Sequence, residues 1–122
     1  MSGNTSGPVP GQRQVPGAPA RSLTISDRQL QKKFKHAQDF GVTGPYNPEG
    51  AKAFEGAILA HVQDQTTQLI EGTFRGKSVT HFFNPRSHLN VVRDENGAFE
   101  TGWRLNTEQE KHVLANGSLG GG

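Results

Sequence analysis

A histidine directly after two lysines is the first place in this chain where residue types and spacing could do chemistry. Lys33-Phe34-Lys35-His36 joins an imidazole, which takes or gives a proton near neutral pH, to two ammonium groups. Lysines beside it can neutralise a phosphate whose charge grows during reaction. Cleaving RNA without a metal ion needs both. A base must deprotonate the 2′-hydroxyl, and cations must stabilise the pentacoordinate phosphorane. Nearby positive charge also favours the neutral imidazole that a base requires. Arg28 and Lys32 extend the cluster, and no acid lies between them and His36. The bland alternative is a solvated basic helix face carrying an incidental histidine.

A second group lies in Phe99-Glu100-Thr101-Gly102-Trp103-Arg104-Leu105. Strand alternation puts Phe99, Thr101 and Trp103 on one face, and Glu100, Gly102 and Arg104 on the other. Trp103 is the single tryptophan. Exposed beside a hydroxyl, it would suit stacking on an unpaired base; buried, it is core. Arg75 and Arg104 read either as phosphate contacts or as solvated strand residues. His81 either faces the same site or is structural. His61 falls near the apolar edge of a helix and reads as packing, and His88 and His112 as surface. No His-x-x-x-His pair and no cysteine is present, so a zinc site would need ligands gathered from afar. There is no P-loop, dinucleotide fingerprint or G-x-S-x-G elbow.

These residues need elements to hold them. Ser26 to about Phe40 reads as one helix, with Ser26 as N-cap, Leu30, Phe34 and Ala37 as its apolar stripe, and Gly41 as its stop. On that helix Arg28, Lys32, Lys35 and His36 gather opposite the stripe, with Lys33 on its flank. Asn47 and Pro48 start a second helix that runs to about Gln63 and buries Phe54, Ile58 and Val62. Thr67–Arg75, Ser78–Asn84, Leu89–Asp94 and Ala98–Leu105 read as four strands. Their short connections, Asn96-Gly97 among them, imply an antiparallel meander. Thr107, paired with Glu110 as a capping box, starts a last helix with Val113 and Leu114 as apolar contacts and Gly117 as its end. The expected fold is α+β: N-terminal helices, a four-stranded antiparallel sheet and a short C-terminal helix, with the helices on one sheet face.

Residues 1–21 are rich in Pro and Gly, lack aromatics and read as a flexible linker. Residues 22–119 are the expected folded domain, and the glycine-rich end beyond, with the GSLGGG stretch, reads as a flexible tail. The chain carries a formal +2, but residues 22–122 hold eleven Lys/Arg and eleven Asp/Glu. Clustering, not net charge, therefore argues for an anionic partner. No apolar run is long enough for a membrane span or the core of a signal peptide, so export would depend on a carrier.

Lys33-Phe34-Lys35-His36-Ala37-Gln38-Asp39-Phe40-Gly41 resembles the K-x-K-H-A-x-D-F-G segment of the colicin D nuclease family. Phe54-Glu55-Gly56-Ala57-Ile58 with His61, Gly72-Thr73-Phe74-Arg75, Phe83-Asn84-Pro85 and Leu89-Asn90-Val91-Val92 continue the likeness in order. Asn96-Gly97-x-Phe99-x-Thr101-Gly102-Trp103-Arg104 is similar to the family's N-G-x-F-x-S-G-W-K. The resemblance covers about residues 28–119. It implies a fold related to the barnase, EndoU and RelE-like ribonucleases. It implies a toxin that cuts tRNA in the anticodon loop without metal or cofactor, leaving a 2′,3′-cyclic phosphate and a 5′-hydroxyl.

By the same resemblance His36 is the catalytic acid/base, Lys33 and Lys35 serve catalysis or phosphate binding, and Thr101 and Trp103 match the family Ser and Trp. Lys32, Arg75 and Arg104 are added as candidate substrate contacts. The implied partners are tRNA and a cognate, acidic immunity protein, with no stable membrane association. The implied setting is a larger exported toxin that acts in the target cell's cytoplasm. The rival reading is a non-catalytic RNA-binding or protein-interaction module.

Overall fold

A computed structural model describes residues 22–120. The Pro/Gly segment read as a linker and the last two residues lie outside the described residues. Helix α1 spans Asp27–Lys33 and starts where the Ser26 hydroxyl accepts from the Gln29 amide at 3.1 Å. The expected single helix to Phe40 does not form. From Phe34 to Phe40 the backbone tightens into a 3-10 helix, closed by Gly41 at φ 87°. Period-three spacing is compatible with the change. Phe34, Ala37 and Phe40 are three residues apart, and a 3-10 helix stacks such positions on one side. That side packs on α2 (Pro48–Gln63), with Phe34 and Phe40 both edge-on to Phe54.

The α2 boundaries are as expected, with the Asn47 side chain accepting from Gly50 N at 2.7 Å. The sheet follows as β1 (Gln68–Phe74), β2 (Lys77–Phe83), β3 (Leu89–Asp94) and β4 (Phe99–Arg104). Helix α3 spans Thr107–Asn116, and β5 is Ser118–Leu119. The strand order is β4-β3-β2-β1-β5. The meander is antiparallel, and β5 adds a fifth strand parallel to β1.

β5 was not expected, because a glycine-rich end offers too little side chain to mark a strand. Its position depends on a close approach: an added Cβ on Gly72 would lie 2.0 Å from Gly117 O. Gly117, at φ 70°, ends α3 and turns the chain into this contact. Two details of α3 also differ. Asn106 caps it, forming the capping box with Gln109 in place of Thr107 with Glu110. Leu114 is 54 % exposed, so Val113 alone anchors the helix to the core.

The register sorts side chains onto two faces. One carries Phe82, Val91 and Phe99 and packs against α1, α2 and the 3-10 segment. The other carries Phe74, Val79, Phe83, Val92 and Trp103 and packs against Val113 and Leu119. The helices therefore lie on both faces, not one. A bulge in β4 also breaks the expected alternation. Thr101 opposes Val92 while Phe99 opposes Arg93, so Glu100 is an extra residue. Phe99 turns to the α1/α2 side, while Thr101 and Trp103 stay on the α3 side.

Candidate active site

The 3-10 segment runs along the outer edge of β4, and its geometry decides which residues meet. Lys33, His36 and Asp39 follow one another at spacing three and share a side. Asp39 Oδ2 accepts from Arg104 N at 3.0 Å, and Gln29 Nε2 donates to Glu100 O. These bonds satisfy an edge strand that would otherwise be open. Between them His36 lies against Trp103, with ring centroids 5.5 Å apart and planes inclined by 30°.

Trp103 is held from three directions. His36 covers one side, Phe74 packs at 6.2 Å, and Nε1 donates to Gln109 Oε1 at 3.3 Å. Two residues back on the same face, Thr101 is fully buried, and its hydroxyl has no hydrogen-bond partner among the described residues. Such groups in a folded protein call for a functional explanation.

Lys33 is buried. Its pKa is lowered, first by desolvation and then by the positive charges of Lys35, Lys32 and Arg75; Glu100 opposes the shift. Arg75 reaches this neighbourhood from the β1–β2 turn, with its guanidinium over the Phe74 ring at 5.4 Å. It holds a left-handed φ of 53°, which a non-glycine residue adopts at a cost. Glu100, the bulge residue, is paired with Lys77 at 3.9 Å.

Lys33, His36, Thr101, Trp103 and Arg75 thus come to one region of the molecule. Lys32 and Lys35 stand exposed beside it, and Lys35 lines a hollow with Thr43, Gly44 and Tyr46. The α-helical expectation of His36 beside Lys32, with Lys33 on the flank, is reversed by the 3-10 turn. Arg104 is not brought in: its side chain alternates to the face opposite Trp103, and only its backbone contributes. Sequence reasoning missed Asp39 and Gln109. The spacing of Asp39 from His36 was a usable signal once the period is read as three. Gln109 had none, because its role depends on where α3 packs.

The remaining histidines are structural or peripheral. His81 is fully buried; Nε2–H donates to Gly117 O at 2.7 Å and Thr73 O at 3.1 Å. Its Nδ1 lies 3.2 Å from Asn90 Nδ2. Burial lowers its pKa. His61 donates to Phe82 O at 2.6 Å, and its pKa is likewise lowered by burial. His88 pairs with Glu110. Among the described residues no three of His, Asp and Glu gather as a metal-ligand set.

Residues 29–113 match the Colicin D family model. The chain belongs to the colicin D family. It is 37% identical over 94 residues to colicin-D of Escherichia coli, a match covering 75% of this chain and 13% of that protein. The chain thus corresponds to a small part of its curated relative. A solved ribonuclease from Escherichia coli, complexed with its inhibitor protein, superposes with a TM-score of 0.68 at 37% identity. That match covers 75% of this chain and all of the other. The expected α+β ribonuclease fold is therefore the fold observed, and the family match includes both Lys33–His36 and Thr101–Trp103.

Proposed function

We propose that this domain is a toxin endoribonuclease that cuts tRNA in the anticodon loop by transesterification. The observation that carries the reading is His36 packed on Trp103 beside the buried Lys33. His36 accepts the 2′-hydroxyl proton as the 2′-oxygen attacks phosphorus. The bond from phosphorus to O2′ forms and the bond to O5′ breaks. The leaving 5′-oxygen takes a proton from the protonated His36 or from the Lys33 ammonium, made more acidic by burial. The products are a 2′,3′-cyclic phosphate and a 5′-hydroxyl, and no step requires a metal ion. Lys33, Lys35 and Arg75 stabilise the charge that builds on the phosphorane. The buried Thr101 hydroxyl reaches a phosphate oxygen once substrate binding opens the face that covers it, and Trp103 shapes the pocket for a loop nucleotide.

The ribonuclease named as its structural relative supports the reaction class, and the inhibitor bound to that relative supports an immunity protein as partner. A cationic site of this kind is suited to an acidic inhibitor that mimics RNA. The domain acts, in this reading, in the cytoplasm of a target bacterium after export within a larger toxin. The test is purified domain with total bacterial tRNA in excess EDTA, followed by end mapping. Half-length fragments ending in cyclic phosphate, absent with His36→Ala, are expected. Intact tRNA from folded domain freed of any inhibitor overturns the reading. Unchanged RNA affinity in His36→Ala with no cleavage by either form favours a binding module.

A further inference from the structure

Beside the Trp103 region lies a hollow of about 350 Å³ lined by Thr73, Arg75, Gln109, His112, Ser118 and Leu119. Pockets that hold small molecules begin at about 300 Å³. Leu119 gives an apolar wall that belongs to the same packed cluster as Trp103 and Phe74. Arg75 gives a permanent cation, and His112 an exposed imidazole on α3.

Gln109 links this hollow to the catalytic region. Its Oε1 accepts from both Trp103 Nε1 and Asn106 N, at 3.3 and 2.9 Å. The amide group is thereby oriented, and what Gln109 has left to offer is its NH2, which only donates. A fixed donor, an apolar wall and a cation suit a nucleobase with carbonyl or ring-nitrogen acceptors, attached to a phosphate.

Arg75 supports the same conclusion independently. Arg75-Gly76 forms the two-residue turn between β1 and β2, with both φ angles positive at 53° and 83°. Asn-Gly is the favoured pair for such a turn, so Arg holds this place against its backbone preference. Strain of that kind collects where a side chain is used.

We propose that this hollow is the subsite for a nucleotide flanking the cut bond, with Gln109 reading the base and Arg75 holding its phosphate. The proposal rests on the ribonuclease reading above. Gln109 is also a positioning residue: a base that engages its NH2 steadies the amide whose oxygen holds Trp103, the ring that His36 packs against.

Two variants keep the fold. Gln109→Glu preserves both acceptor bonds and the capping box while removing the NH2. Arg75→Asn suits the turn and removes the cation. The substrate is an anticodon stem-loop RNA that the wild-type domain cuts, made also with an abasic residue on either side of the cut. One abasic RNA is expected to lower wild-type kcat/KM about tenfold. Gln109→Glu should lose about the same factor on the intact RNA and be insensitive to that abasic position. Equilibrium binding of both RNAs to His36→Ala, with and without Gln109→Glu, should give the same pattern in Kd.

A folded Gln109→Glu variant that distinguishes intact from abasic RNA as the wild type does, in both readouts, overturns the subsite. Where wild type cuts no anticodon stem-loop, binding that still depends on Gln109 and the base overturns the ribonuclease reading, and the hollow is then a base-binding site without a cut bond beside it. A folded Arg75→Asn variant with wild-type Kd and kcat/KM removes Arg75 from it.

Discussion

Lys33 carries a charge in a place that disfavours charge. Burial and three nearby cations lower its pKa below the usual 10.5. In the folded state the ammonium therefore destabilises the protein wherever it stays protonated. Lys33→Met is expected to raise stability at pH 7 by about 0.5–2 kcal/mol while abolishing cleavage. The sign with pH follows. Below the folded-state pKa both states are protonated and the penalty is constant. As pH rises from there towards 10.5 only the unfolded state keeps the proton, so the wild type gains stability and the gap to Lys33→Met closes. Urea unfolding of both proteins at pH 7 and pH 10 reads this, and a constant gap contradicts it. Thr101 makes a parallel case. Thr101→Val keeps the shape and removes a buried hydroxyl that has no partner among the described residues. It should unfold at equal or higher urea, by up to about 1 kcal/mol, yet cleave RNA more slowly. A clear loss of stability would show that the hydroxyl serves the fold.

The 3-10 segment acts as a three-sided rod. Phe34, Ala37 and Phe40 face the core, Lys33, His36 and Asp39 follow β4, and Lys35 and Gln38 face solvent. A continuous α-helix would rotate successive residues of each row by about 60°, so Lys33, His36 and Asp39 could not all follow β4. Asp39 pins the far end of the rod to Arg104 N. Asp39→Ala is expected to cost about 1 kcal/mol of stability and to lower kcat more than it changes KM, because His36 loses its fixed place over Trp103. Asp39→Asn keeps a side-chain oxygen acceptor and should restore most of kcat. Steady-state kinetics on one tRNA substrate checks both, and an Asp39→Ala enzyme with normal kcat would rule out this positioning role.

At the scale of the molecule, the balanced charge of residues 22–122 means that affinity for RNA must come from local clustering. Lys32, Lys33, Lys35 and Arg75 supply it on the His36 side, and RNA binding should weaken steeply with salt. The two sheet faces each enclose one buried histidine, His61 in the last turn of α2 and His81 between β1 and the end of α3. Both pKa values lie below 6.5 because burial disfavours the imidazolium. As pH falls through 6.5 the unfolded chain takes protons that the native state refuses, so stability falls. The slope is at most about 1.4 kcal/mol per pH unit for each histidine. Urea midpoints between pH 7.5 and 5 should fall as pH falls, with the His61 and His81 resonances titrating below 6.5. His61 and His81 resonances that titrate at or above pH 6.5 would contradict it.

Much of this protein was legible before any coordinates. Ser26, Asn47-Pro48 and Gly41 mark helix ends because capping is settled by a few neighbouring residues. The four meander strands and the Asn96-Gly97 turn show in alternation and turn chemistry, which are equally local. The candidate residues themselves stood out as a histidine among lysines and a lone tryptophan beside a threonine. Their arrangement did not. The choice of 3-10 over α in Phe34–Phe40 was made by packing on α2 and bonding along β4, which no local propensity records. The bulge at Glu100 split Phe99 from Thr101 and Trp103, and register is fixed only when both strands pair. β5 depends on Gly72 and Gly117 meeting across 45 residues of chain, and Gln109 reaches Trp103 only because α3 packs on that face. Local sequence chose the groups that could react, while contacts between distant segments determined which of them face one another.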